Sequence, residues 1–396
     1  MFNKPPLRPA PPVYLDNHAT TRVDPQVLAE MLPFFDVIFG NAASINHRYG
    51  WDAAEAVEAS RRQIAQFLNA SPEEIVFTSG GTESNNLALK GVMRFAPPDR
   101  QPGSHLVVSA AEHRSVLDPA KRLQRQGCQL TVLDVDRSGQ VDPRMFERAL
   151  RPETVLVSIM SANNEVGTIT PIPEIAQICR AHGVLLHCDA VQALGKIPVD
   201  LKKLSADLVS FSAHKLYGPK GVGALYVRRN DPPVRLVPLF DGGGHERRMR
   251  SGTLSVPLIV GFGAACRLAS QELAVESVRI ASLRERLWNG LSERLDGLTL
   301  NGHRTERLPG NLNVSIDGLD GETLMTSLTE IAVSSGSACT SADPEPSHVL
   351  RAMGISESLS KASLRFGLGR FTTTEEIDFA IRYVAEKVTA LRQSTA

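Results

Sequence analysis

Lys215 lies in surroundings that favour covalent chemistry over simple solvation. It belongs to the segment FSAHKLYGPKG (211–221), directly after a short apolar run that predicts a strand. Most lysines are surface residues, but the flanks here are apolar and rich in glycine. A lysine kept away from water loses its proton more readily and can form a Schiff base. Lys215 is therefore a candidate Schiff-base residue.

Asp189 ends the apolar run VLLHC (184–188). A carboxylate at the end of a buried strand is unfavourable without a partner. The protonated pyridine nitrogen of pyridoxal phosphate (PLP) would be such a partner, because this pairing keeps the ring cationic and able to accept electrons. The alternative is that Asp189 caps a helix over residues 190–194. Gln192 could donate to the ring oxygen, or could be an ordinary polar surface residue.

The segment SGGTES (79–84) has the composition of an anion-binding turn. It follows a predicted strand and opens a predicted helix, so its backbone N–H groups and the helix N-terminus could bind a phosphate. It is neither a Walker loop nor a dinucleotide fingerprint, and many strand-to-helix turns look similar. Ser212 and His214 could supply further donors.

His113 and Arg365 are candidates with a structural alternative. A histidine after a strand, here 105–109, is more often structural than catalytic. Beside a cofactor ring it could stack and transfer protons near neutral pH. Arg365, in SLRFGLGRF (363–371), needs a carboxylate if it is buried. That group is either an internal Asp or Glu or the carboxylate of an amino-acid substrate, bound through two hydrogen bonds.

Cys339 lies in the segment SSGSACTSADPEP (334–346), whose small and turn-forming residues predict a mobile loop. An exposed thiol on such a loop could reach a substrate and then move away. Cys188 lies beside His187 and Asp189, but no second pair has suitable spacing, so we expect no metal site. Three other cysteines are interpreted as inert buried residues: Cys128, Cys179 and Cys266.

The overall composition excludes several classes of protein. The chain has 396 residues, with 43 Lys and Arg against 43 Asp and Glu, so its net charge is zero. This balance lacks the basic field of a nucleic-acid-binding protein, and no apolar run is long enough to span a membrane. Residues 1–12 are rich in proline and lack the apolar core of a secretory signal. Five scattered cysteines fit a reducing cytoplasm better than a disulfide framework.

Short apolar runs alternate with helical stretches between residues 71 and 229 and include predicted strands at 105–109, 129–133 and 208–212; a later strand is predicted at 311–316. The alternation predicts an α/β fold with a covered, mainly parallel sheet. Ligands of such sheets bind beyond the carboxyl ends of the strands. The amphipathic stretch 268–295 predicts a helix that leads away from this sheet. We therefore expect three parts: an N-terminal arm that joins the small domain (1–23), a large domain (24–272), and a small α+β domain that carries the Cys339 loop (273–396).

Several motifs together give the chain its resemblance to a known family. From Val13 to about Arg392 it resembles the cysteine desulfurases, which are fold-type I PLP enzymes of the class-V aminotransferase family. The form of the cysteine loop resembles the housekeeping iron–sulfur-cluster branch. The motifs are VYLDNHATT (13–21), FTSGGTESNN (77–86), ANNEVGT (162–168), HCDAVQ (187–192), FSAHKLYGPKG (211–221), GGGHERRMRSGT (242–253), SSGSACTSADPEPS (334–347) and LRFGLGRFTT (364–373).

This resemblance implies a role for each matching residue. Lys215 would form the Schiff base with PLP and move protons, and His113 would stack on the ring and assist proton transfer. Cys339 would attack the sulfur of L-cysteine and become a persulfide, leaving L-alanine. Asn164 and Arg365 would hold the substrate carboxylate. The remaining cofactor contacts would come from Gly81, Thr82, Asn164, Asp189, Gln192, Ser212, His214 and, across a homodimer interface, Thr253.

The resemblance also implies partners and leaves alternatives. The persulfide sulfur would pass to an iron–sulfur scaffold protein or to another acceptor, as in tRNA thiolation. Housekeeping relatives often carry a further C-terminal tail that docks the scaffold, whereas this chain stops at Ala396, which weakens the expectation of that partner. Ala213 stands where many members have glycine, a change we expect to be tolerated. The alternatives are a selenocysteine or cystine lyase, and a sulfur-relay protein without catalysis.

Overall fold

The structure is a computed structural model that describes residues 12–95, 103–230, 232–335 and 346–395. The strands in chain order are β1 (Val13–Tyr14), β2 (Ile75–Thr78), β3 (His105–Ser109), β4 (Gln129–Leu133), β5 (Thr154–Ser158), β6 (Leu185–Asp189), β7 (Leu208–Ser212), β8 (Gly223–Val227), β9 (Leu298–Asn301), β10 (Asn311–Ile316), β11 (Ile331–Ala332) and β12 (Ser363–Gly367).

The helices are α1 (Pro25–Met31), α2 (Pro33–Asp36), α3 (Arg48–Leu68), α4 (Gly81–Phe95), α5 (Arg114–Arg125), α6 (Pro143–Ala149), α7 (Ile172–Ala181), α8 (Leu201–Leu204), α9 (Val256–Ser292), α10 (Gly321–Ser327), α11 (His348–Ala352), α12 (Glu357–Lys361) and α13 (Thr374–Thr395).

Seven strands form the large sheet in the order β2-β8-β7-β6-β5-β3-β4. Neighbouring strands pair in parallel through the part β7-β6-β5-β3-β4, and β8 runs antiparallel to both of its neighbours, β2 and β7. Most of these strands are buried along their whole length, because α3, α7 and α9 cover one face and α4 and α5 the other. The predicted mainly parallel α/β sheet is confirmed.

Helix α9 begins earlier than the sequence pattern predicts, at Val256 rather than at Leu268. Its first half is buried almost all round in the core of the large sheet, so it shows no amphipathic period that marks its start. Its second half packs Leu283, Leu287 and Leu291 into a separate core. By length and composition α9 could cross a membrane, contrary to the expectation from the sequence that no run is long enough, but 56% of its most apolar window is buried inside the protein.

That second core belongs to the antiparallel sheet β12-β10-β9, which packs against α9 and α13. The short strand β1 pairs with β11 in a two-stranded parallel sheet, so the segment after residue 12 joins this part of the molecule. The predicted strand 311–316 has the observed bounds of β10. The boundaries at residues 24 and 273 stay predictions, because α9 runs through the second of them without a break.

Candidate active site

A cavity of about 290 Å³ lies where β6 and β7 end and where α4 and α5 begin. Among the residues that line it are ten of the twelve predicted site residues: Gly81, Thr82, His113, Asn164, Asp189, Gln192, Ser212, His214, Lys215 and Arg365. Thr253 is exposed and does not line the cavity. Cys339 lies outside the described residues.

Lys215 ends a short 3₁₀ turn that follows β7 directly. Its Nζ donates to the backbone oxygens of His18 and Ala19, each at 2.6 Å. These two acceptors belong to the N-terminal segment, nearly 200 positions away in the chain, so the sequence pattern did not identify them. Two backbone carbonyls therefore hold the amine at the cavity.

Asp189 lies at the end of β6 and is 4% exposed. Its Oδ2 accepts a hydrogen bond from Asn85 Nδ2 at 2.7 Å, and its Oδ1 accepts one from the Val191 backbone N–H at 3.0 Å. The residues that follow form hydrogen-bonded turns and not a helix, so Asp189 caps a turn where the alternative had placed a helix over 190–194. Two local donors hold the carboxylate in place at the cavity wall.

Glu112 is a buried carboxyl group that the sequence analysis overlooked. Burial, and then the nearby charge of Asp189, raise the pKa of Glu112 well above its usual range. Its Oε1 accepts from the Met160 backbone N–H at 2.7 Å, and its Oε2 has no hydrogen-bond partner among the described residues. Burial therefore favours the protonated, neutral form of Glu112.

The turn at Gly80 and Gly81 forms the opposite end of the cavity. Gly80 has φ 150°, a backbone conformation that favours glycine, and a Cβ on Gly81 would lie 2.7 Å from Val191 Cγ2. Helix α4 begins here, so its free N–H groups and the hydroxyls of Thr82 and Ser212 can bind an anion. Only glycine lets the backbone lie this close to the opposite wall.

His214 lies beside this turn as a neutral imidazole. Burial, together with the charges of Lys215 and Lys220, lowers its pKa to about 3. Its Nδ1 lies 3.1 Å from Thr20 Oγ1. A neutral ring can donate one hydrogen bond to an anion in the cavity.

These features fit PLP. The glycine turn can hold the phosphate, the buried carboxylate of Asp189 can pair with a protonated ring nitrogen, and Lys215 supplies an amine on the same cavity wall. The volume is close to the lower end of the range for small-molecule sites.

Arg365 is 1% exposed and lines the cavity. It donates to Asp16 Oδ1 at 2.9 Å and to the Asn164 backbone oxygen at 3.1 Å. The internal carboxylate that the sequence left open is therefore present, in Asp16. Arg365 Nε and Asn164 Oδ1 are buried and have no hydrogen-bond partner among the described residues, so both can still bind a substrate.

Gln192 contacts two residues that the sequence analysis overlooked, His18 and Lys196. Its Nε2 donates to the His18 backbone oxygen at 2.9 Å, and its Oε1 accepts from Lys196 Nζ at 2.5 Å. Burial and the charges of Lys215 and Arg365 lower the pKa of Lys196 well below its usual range. One amide hydrogen of Gln192 is left to donate to a ring oxygen.

The fold and this site define a class of protein, and comparison with known proteins agrees. Residues 13–379 match the family model described as aminotransferase class-V. The "Cysteine desulfurase IscS" of Anaeromyxobacter dehalogenans is 57% identical over 382 residues, which cover 96% of this chain and 94% of that relative.

Solved structures give the same result. A "NifS-like protein" superposes with a TM-score of 0.88 at 38% identity, covering 96% of this chain and all of that one. The structure titled "SspA in complex with cysteine" has a TM-score of 0.79 and 36% identity, covering 91% and 100%. The chain belongs to the class-V aminotransferase family and, within it, to the cysteine desulfurases. The resemblance predicted from the motifs is confirmed.

Proposed function

We propose that this cysteine desulfurase attaches PLP to Lys215 and passes the sulfur of L-cysteine to Cys339. The observation that carries the assignment is that one cavity contains Lys215, the buried carboxylate of Asp189 and the glycine turn of α4 together. PLP, when bound, withdraws electrons from the substrate α-carbon and so stabilises negative charge there. The residues of the chain bind and orient the substrate and move its protons.

Each cavity residue has a distinct task in this proposal. Asp189 would keep a proton on the pyridine nitrogen, Gln192 would donate to the ring oxygen, and His113 would lie against the ring. Lys215 would hold PLP through its amine and would move protons at the substrate carbons. The phosphate is bound by the backbone at Gly81 and by Thr82, Ser212 and His214, as the geometry of the turn allows.

Arg365 and Asn164 bind the substrate carboxylate in this proposal. The buried Arg365 Nε lacks a partner among the described residues and can donate to that carboxylate. Asn164 would donate through its amide nitrogen, because an amide oxygen only accepts. An arginine can bind a carboxylate through two parallel hydrogen bonds. The solved relative with bound cysteine supports an amino acid of this size as the ligand.

Cys339 acts as the nucleophile. Its thiolate attacks the substrate sulfur, the bond between carbon and sulfur breaks, and the electron pair stays on carbon, which takes up a proton to give alanine. The four described cysteines support this choice by contrast. Burial raises the pKa of Cys179 to about 12, and it also raises the pKa of Cys128, Cys188 and Cys266.

A homodimer and a cytoplasmic location complete the proposal. Large apolar side chains are exposed between residues 28 and 51, with Phe39 62% and Ile45 79% exposed, and a patch of this kind marks an interaction surface. A groove lined by Ala42 and Leu254 connects this segment to the loop that carries Thr253. The exposed Thr253 could therefore reach the cofactor phosphate of a second subunit.

The persulfide then passes its sulfur to iron–sulfur cluster assembly.

The test is sulfide and alanine formation by purified, PLP-loaded protein given L-cysteine and a thiol reductant. Cys339→Ala is assayed beside it, and Cys128→Ala serves as the matched control. We expect equal sulfide and alanine from the wild type and the control, and none from Cys339→Ala. Activity in Cys339→Ala would refute the relay and favour a lyase, whereas an inactive wild type would refute the choice of substrate.

A further inference from the structure

A chain of hydrogen bonds joins Asp189 to His113 through two residues that the proposed function does not use, Asn85 and Ser115. Asn85 Nδ2 lies 2.7 Å from Asp189 Oδ2 and 2.8 Å from Ser115 Oγ. Ser115 Oγ in turn lies 2.7 Å from His113 Nδ1. Asn85 is 1% exposed and Ser115 is 7% exposed, and both line the cavity.

The contacts of Asn85 fix the direction of its donors. If the Asn85 amide were reversed, its oxygen would face the Asp189 carboxylate as a second acceptor, so the nitrogen must point there. An amide nitrogen carries two hydrogens, and Asn85 gives one to Asp189 and one to Ser115 Oγ. Ser115 Oγ is thereby an acceptor, and its own hydrogen is left to donate to His113 Nδ1.

A second donor decides the protonation of His113. The Ser115 backbone N–H also donates to His113 Nδ1, at 3.1 Å. The hydroxyl of Ser115 could rotate to accept instead, but its backbone N–H belongs to the first turn of α5 and cannot turn away. A hydrogen on Nδ1 would point at this N–H, so Nδ1 must offer a lone pair. The proton of the neutral ring is then on Nε2.

Helix geometry favours the same state. His113 is the N-cap of α5, and the positive end of a helix dipole disfavours a positive charge on the ring. Asn85 lies on α4, the helix whose first turn forms the anion site. The chain of hydrogen bonds therefore ties the phosphate end of the cavity to the acid and to the histidine.

We propose that Asn85 and Ser115 are positioning residues that hold His113 neutral with its proton on Nε2 and hold Asp189 in place for the pyridine nitrogen. His113 then offers a hydrogen-bond donor, and the removal of protons from substrate carbons is left to Lys215. The part that concerns Asp189 rests on the proposed binding of PLP. The part that concerns His113 does not, since the contacts exist in the polypeptide alone.

Solid-state ¹⁵N NMR of ring-labelled histidine tests the His113 assignment in both apoprotein and PLP-loaded enzyme. The His113 signals are identified by their loss in His113→Gln. At pH 7.5 we expect an unprotonated Nδ1 and a protonated Nε2. A protonated Nδ1 would overturn the proposal. The measured signals come from the wild type, and His113→Gln serves only to identify them.

Equilibrium PLP binding to apoprotein tests the role of Asn85. Asn85→Leu removes both donated hydrogen bonds, one of them to a charged group, and is expected to weaken PLP binding about ten- to a hundredfold. Asn301→Leu is the matched control. Asn301 is 2% exposed, donates to Asn313 and Ser315 at 2.8 and 2.9 Å and has an unpartnered Oδ1 among the described residues, but it does not line the cavity.

Both leucine variants are expected to lose thermal stability, and only Asn85→Leu is expected to lose PLP affinity. Equal affinities of Asn85→Leu and Asn301→Leu for PLP would show that Asn85 has a purely structural role and would overturn the proposal. Ser115→Ala gives a second readout that does not require Asn85→Leu to fold: kcat for L-cysteine should fall about fivefold with KM nearly unchanged. An unchanged kcat in Ser115→Ala would contradict the proposed role of Ser115. Failure of the wild type to bind PLP would instead refute the proposed function.

Discussion

Arg365→Lys separates a substrate-binding role of Arg365 from a structural one. The guanidinium is 1% exposed and bonds to Asp16 at 2.9 Å. Replacement by alanine would leave Asp16, whose side chain is 18% exposed, as a partly buried charge without its partner and would destabilise the protein for that reason. Lysine keeps the positive charge near Asp16 but loses the planar fork that binds a carboxylate through two hydrogen bonds. The effect on substrate is thereby isolated.

The expected size follows from the contacts that are lost. A hydrogen bond to a charged group contributes about 1.5–3 kcal/mol, and about 1.4 kcal/mol corresponds to a tenfold change. Arg365 already uses two contacts internally, to Asp16 and to the Asn164 backbone, so we count the loss of one bond to substrate. The predicted fall in kcat/KM for L-cysteine is about ten- to a hundredfold. Most of it should lie in KM, because the carboxylate contact is present before and during the reaction.

The assay is alanine formation from L-cysteine by protein whose PLP content has been matched by absorbance. Binding of cysteamine, which lacks the carboxylate, should be equally tight in the wild type and in Arg365→Lys. Asp16→Asn is the matched control, since it keeps an acceptor for Arg365 but removes the competing charge, and its KM should not rise. An unchanged KM in Arg365→Lys, or an equal loss for cysteine and cysteamine, would refute the assignment.

Three further predictions concern the nucleophile and two buried charges. Cys339→Ser should keep the spectral response of PLP-loaded protein to L-cysteine but release no sulfide. Burial raises the pKa of Glu165 from 4.5 to about 7, so the native state is penalised as pH rises through this range, by about 3 kcal/mol above pH 7. In urea titrations of apoprotein, Glu165→Gln should therefore be more stable than the wild type at pH 8 but not at pH 4.5. The control Glu306→Gln, at an exposed position, should show no such gain. Glu246→Gln breaks the buried pair with Arg61, which spans 2.8 Å, and should lower the free energy of unfolding by about 3–5 kcal/mol in the same assay; a loss below 1 kcal/mol would contradict this.

Local sequence predicted the large sheet well because its strands are short apolar runs bounded by turns. The predicted strands 105–109, 129–133 and 208–212 have the observed bounds. The start of α9 was not predictable from periodicity, since its first half is apolar on all sides. The same physical rule, that burial on every side removes the amphipathic signal, accounts for both the success with strands and the failure with this helix.

The candidate site divides in a similar way. Gly81, Asp189 and Lys215 were predictable because each has a local signature: a glycine turn before a helix, an acid after an apolar run, a lysine among apolar neighbours. Asn85 and Glu112 have no such signature. Asn85 matters through a contact 104 positions away, and Glu112 through burial that only the packed fold provides.

Sequence alone determined the chemistry that this protein can perform, since reactive groups are properties of individual residues and their immediate neighbours. It pointed to candidates for the Schiff-base lysine, for the acid that pairs with a ring nitrogen, for the phosphate turn and, in Cys339, for the nucleophile. Tertiary structure decided the state of those groups. Three such states are the protonation of Glu112, the position of the proton on the His113 ring and the choice of the carboxylate that pairs with Arg365. All three depend on burial and on distances between segments far apart in the chain, because burial and distance set the electrostatic and hydrogen-bond energies.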